Sequence, residues 1–92
     1  MSATSQEPEI DFVTFVMSLA ASALLHMGEH EEGAPAELRD TPVDLAMAKQ
    51  TIDIIGMLRE KTRGNLTADE DRLVETALYD LRLKYLHRSK QS

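Results

Sequence analysis

Cysteine and tryptophan are absent from these 92 residues, and aromatic side chains amount to two Phe and two Tyr. Without cysteine there are no disulfides and no thiolate metal sites. That absence fits a cytoplasmic protein. So few aromatic rings supply poor stacking platforms for nucleic acid. Positive charge is also short: ten Lys and Arg stand against sixteen Asp and Glu, a net charge of −6. Its distribution is uneven. Residues 1–40 hold eight acids (Glu7, Glu9, Asp11, Glu29, Glu31, Glu32, Glu37, Asp40) against Arg39 alone, hence −7, which leaves +1 for residues 41–92. The acidic half repels nucleic acid and anionic lipid. The four glycines form no phosphate-cradling loop. Lys49, Arg59, Lys61 and Arg63 alternate with acids, which reads as a solvated face and not as a phosphate site. No nucleic-acid partner and no cofactor are expected.

Against these absences stands one long apolar stretch. From Ile10 to Met27, IDFVTFVMSLAASALLHM, no charge follows Asp11 until Glu29. Asp11 is the expected N-cap and Gly28 the expected stop. At about 100° per residue, Asp11, Thr14, Ser18, Ser22 and His26 share one arc, interrupted by Phe15 and Leu25. The rest of the circumference is apolar, so this helix must be buried in protein or in lipid. It reaches about 27 Å at 1.5 Å per residue, short of the ~30 Å of a bilayer core. It contains Thr, Ser and His and lacks basic flanks. A signal peptide needs a positive leading segment, whereas Met1 to Glu9 carries two Glu and no Lys or Arg. Membrane spanning is therefore not expected. Burial by the chain itself and by partners is.

Residues 1–9 are polar and read as a disordered arm. Residues 29–41 read as an acidic linker, EHEEGAPAELRD and Thr41, interrupted by Gly33 and Pro35. A second helix is expected over about 42–63, opened by Thr41-Pro42-Val43-Asp44 and closed by Gly64. Its apolar half-circle contains Leu45, Met47, Ala48, Thr51, Ile52, Ile54, Ile55 and Leu58. Gly56 lies inside it, at a cost of about 1 kcal/mol. It reads as a tolerated defect or as a point of close helix approach. Thr67-Ala68-Asp69-Glu70 is a capping box that opens a third helix over about 67–87, with residues 88–92 as a frayed tail. Val74, Ala77, Leu78, Leu81 and Tyr85 form its main apolar face. Tyr79, Leu83 and Leu86 form a second patch on the far side. The short turn between these two helices implies an antiparallel hairpin.

Three stretches together resemble a family of small, uncharacterised bacterial proteins described as a domain of unknown function: FVMSLAASALLHMGE (15–29), LAMAKQTIDIIGMLREKTRGNLT (45–67) and ALYDLRLKY (77–85). The resemblance covers most of residues 10–86, in the same order. The linker and both termini depart from it. It implies an intracellular bacterial protein and no chemistry, because the family has no assigned reaction. It marks His26, Gly28 and Glu29 as motif positions, but not His30.

His26-Met27-Gly28-Glu29-His30 also matches H-x-x-E-H, in which two histidines hold zinc and Glu acts as general base. The context is poor. Gly28 falls where the helix ends, and a chain this small has little room for a cleft. His26, Glu29 and His30 are weak metal candidates, and no catalytic residue is expected. His26 alone reads as a C-terminal histidine favourable to the helix dipole when protonated. Ser18 and Ser22 are spaced for close helix approach, or are ordinary back-bonded helical serines.

The fold expected is all-α: an apolar N-terminal helix, then an antiparallel helical hairpin in a single domain over 10–87, completed by oligomerisation. Interface positions are expected at Phe12, Val13, Val16, Leu19, Ala20, Ala23, Leu24, Tyr79, Leu83 and Leu86. The function expected is non-catalytic: a homo-oligomer, with an unidentified protein as a further possible partner. The alternative is a peripheral membrane protein using the first helix. A small metal-dependent protein built on His26, Glu29 and His30 is the distant third.

Overall fold

A computed structural model of the chain describes residues 11–29, Gly33, 36–39 and 42–91. Helix α1 is Phe12–His26, and its start follows from one side chain. The Asp11 carboxylate accepts the Thr14 amide at 2.8 Å. This hydrogen bond to the charged form holds the Asp11 carboxyl below its ordinary pKa. The helix ends as Gly28 turns into the left-handed region at φ +82°, and the Glu29 amide donates back to the Leu24 carbonyl at 2.9 Å. Here glycine is required. A side chain at Gly28 would meet both that φ and Val43 Cγ2 at 3.1 Å.

A single helical turn, α2 (Ala36–Arg39), lies within the stretch expected to be linker. Helix α3 is Leu45–Lys61, with Asp44 as N-cap accepting the Met47 amide at 3.0 Å. It starts three residues later than Pro42, because Asp44 is the residue that caps it. The Asp44 amide also donates to the His26 carbonyl at 2.7 Å, which fastens the start of α3 to the end of α1. Thr41, the residue expected to cap, lies outside the described residues, as do the N-terminal arm and His30.

Helix α4 runs Ala68–Gln91. Its capping box is formed reciprocally: the Glu70 amide donates to Thr67 Oγ1 at 3.1 Å, and the Thr67 amide to Glu70 Oε1 at 2.8 Å. Thr67→Ala should therefore cost about 1 kcal/mol. A thermal melt checks this, with Thr67→Ser as the variant that retains the cap. Helix α4 continues beyond His87, and Arg88 reaches across the bundle. Arg88 Nε donates to Glu29 Oε2 at 3.1 Å and Nη2 to the Gly28 carbonyl at 3.2 Å. These bonds tie the last turn of α4 to the end of α1.

Helices α1, α3 and α4 pack together, and no strand occurs among the described residues. Arg59 beside Asp71 near the turn, and Gly56 beside Arg82 farther from it, make α3 and α4 antiparallel. The core draws Val16, Ala20, Ala23 and Met27 from α1 and its end, Ala48, Ile52 and Ile55 from α3, and Val74, Leu78 and Leu81 from α4. The small residues Ala20, Ala23 and Ala48 let α1 and α3 approach, while Met27 and Ile55 fill the space between them. Phe12, Leu19, Leu24, Leu45 and Tyr85 close the rim.

Candidate functional site

The residues expected at an intermolecular surface fall into two groups. Val16, Ala20 and Ala23 are 0%, 8% and 0% exposed, inside the chain's own core. They offer nothing to a partner. Phe12, Leu19 and Leu24 pack against that core, and Val13 is half-buried. The enclosed residues share one face of α1, with Phe12, Val13, Leu19 and Leu24 half-buried beside them. The large apolar side chains of α1 left exposed are Phe15 and Met17, which were not among the expected interface positions. Ser18 donates to the Thr14 carbonyl at 3.0 Å, the ordinary back-bond of a helical serine.

The second group stays outside. Tyr79, Leu83 and Leu86 are 69%, 52% and 54% exposed. Their i, i+4, i+7 spacing puts them in one row along α4. The row is continuous, because all three line one shallow groove of about 310 Å³. Arg59 and Glu75 close one end of it. A second groove of about 320 Å³ adjoins it, where Leu86 and Arg82 meet Ile52, Lys49 and Asp53 of α3.

The wall between the two grooves is Arg82. Its guanidinium lies across the face of Gly56, so that a Cβ added there would meet Nη2 at 3.0 Å. Gly56 is therefore a point of close approach, by a long side chain and not by helix backbone. The neighbouring cation is committed elsewhere. Arg59 Nε and Nη2 form a two-pronged pair with the Asp71 carboxylate at 3.0 and 3.1 Å. The Arg59 hydrogen bond holds the Asp71 carboxyl below its usual value. On the far side of the row, Lys84 pairs with Asp80 at 3.5 Å.

Of the H-x-x-E-H residues, His26 and Glu29 are each engaged within the fold, and His30 lies outside the described residues. His26 Nδ1 lies 2.9 Å from the Ser22 carbonyl. A carbonyl only accepts, so Nδ1 carries the proton and is not a metal donor. Glu29 faces Arg88. Among the described residues no group of three or more His, Asp or Glu is placed to hold a metal ion. Nor is any described helix long and apolar enough to cross a membrane.

The site the chain presents is thus an apolar row on α4 with charged margins. The family model described as a domain of unknown function, DUF1844, matches residues 9–87, and the chain belongs to that family. No curated protein and no solved structure matches it.

Proposed function

We propose that this member of the family is a non-catalytic, homo-oligomerising protein of the bacterial cytoplasm that associates through the exposed face of α4. The observation that carries this reading is the row of Tyr79, Leu83 and Leu86, each more than half exposed and outside the core that α1, α3 and α4 share. A soluble chain seldom leaves three large apolar side chains contiguous in water, because such patches mark interaction surfaces. A small domain also has a thin margin of stability, to which burial in a partner adds. Fully burying one Leu contributes about 1.5–3 kcal/mol. Each copy brings the row once, so a two-fold dimer buries it twice.

The motif positions His26, Gly28 and Glu29 fit a structural role in this reading. Gly28 makes the turn, its carbonyl and Glu29 receive Arg88, and the His26 carbonyl receives the Asp44 amide. They fasten the end of α1 to the start of α3 and the end of α4. Sedimentation equilibrium at micromolar concentration tests the proposal. The expected mass is a multiple of the 10.3 kDa chain. A folded species of the single-chain mass overturns it.

A further inference from the structure

We infer that the occupant of the α4 face is the same face of a second copy, laid antiparallel across a two-fold axis beside Leu83. This inference rests on the homo-oligomer reading above and adds the partner surface and its direction. The exposed row does not end at its apolar residues. At about 100° per residue, Glu75, Tyr79, Leu83, Leu86 and Lys90 fall within an arc of roughly 80°. Glu75 and Lys90 are exposed at the two ends. Glu75 is held only loosely, 3.9 Å from Arg59.

The order of these residues complements its own reversal. Glu75 and Lys90 are equally far from the midpoint between Arg82 and Leu83, and so are Tyr79 and Leu86. Turned end for end about that midpoint, the face sets Glu75 against the second copy's Lys90, and Tyr79 against its Leu86. Leu83 meets its own equivalent. The charged pair occurs twice, once at each end of the seam, around an apolar centre, which is the usual anatomy of an interface. Parallel stacking would set Glu75 against Glu75 and Lys90 against Lys90, like charges that disfavour it. The whole helix has the same polarity. Its first turn carries Asp69, Glu70 and Asp71, and its last turn Arg88 and Lys90. Arg82 flanks the seam, with its guanidinium leaning over Gly56. A foreign partner would have to reproduce this acid-to-base order by coincidence, whereas a second copy supplies it by symmetry.

The natural chain has no cysteine, so single introduced thiols report contacts without background. A disulfide needs Cα atoms about 4.4–6.8 Å apart. Leu83→Cys beside the axis should oxidise to a covalent dimer. Tyr79→Cys alone should not, because its two copies would lie about 10 Å apart along the helices at 1.5 Å per residue. A mixture of Tyr79→Cys and Leu86→Cys chains should cross-link to each other. In sedimentation, Glu75→Lys and Lys90→Glu should each weaken association by about tenfold, as expected for paired exposed charges. The double reversal should restore it. If the protein dimerises but Tyr79→Cys cross-links alone, the helices run parallel and the direction inferred here is wrong, while the homo-oligomer stands. If it dimerises and none of the thiols cross-links, the seam is elsewhere. If the unmodified protein is a folded single chain, both proposals fall together.

Discussion

Val16→Glu is expected to unfold the protein. Val16 is fully enclosed on the inner face of α1, in a core completed by α3 and α4. Among the described residues, the core cluster around it is apolar, and buried Thr51 donates to the Met47 carbonyl at 3.0 Å. The substitution removes an apolar contact worth about 1.5–3 kcal/mol. It also buries a carboxylate that must stay charged without a partner or take up a proton. Leaving a buried charge uncompensated costs about 3–5 kcal/mol. Folded proteins hold about 5–15 kcal/mol in total, the smaller ones least. Loss of the cooperative melt followed by circular dichroism is the expected result. Val16→Ala gives the reference, with a loss of about 2 kcal/mol and the fold kept. A Val16→Glu chain that melts like the unmodified one would place Val16 on the surface.

Leu83→Glu should have the opposite signature. The side chain is half in water already, so helicity and melting of the single chain should hardly change. Association should be lost. Two carboxylates would face each other beside the two-fold axis, in the centre of a seam otherwise apolar. Like charges juxtaposed in an interface cost several kcal/mol, and each 1.4 kcal/mol is a factor of about ten. Dimer affinity should fall by at least about 100-fold, read by sedimentation across a concentration series. An unchanged dissociation constant would remove Leu83 from the interface. Together the two substitutions separate residues that the sequence alone groups as a single apolar surface.

How far that surface was legible differs from residue to residue. Tyr79, Leu83 and Leu86 were readable as a face apart from the core because α4 has two apolar rows on nearly opposite sides, and one hairpin partner covers only one of them. On α1 the same reasoning misplaces residues. When a helix is apolar almost all round, periodicity contains no contrast, and nothing local says which side neighbours cover. Periodicity therefore does not separate the enclosed Val16, Ala20 and Ala23 from the exposed Phe15 and Met17. Gly56 was legible as an anomaly, but its neighbour Arg82 lies twenty-six positions away on another helix.

The sequence by itself determined the all-α class, the family and the helix starts that depend on contacts three residues apart. Asp11 with Thr14 and Thr67 with Glu70 needed no knowledge of the rest of the chain, because a cap is satisfied within one turn. The tertiary structure decided how the start of α3 and the last turn of α4 are fastened to the end of α1. The Asp44 amide is fixed by a carbonyl on another helix, and the last turn of α4 is held by Arg88 on Glu29 and Gly28, fifty-nine and sixty positions away. Such bonds form only once the helices have packed. Packing also divides apolar residues into those that hold one chain together and those left to meet another, because burial depends on which neighbours arrive and not on hydrophobicity.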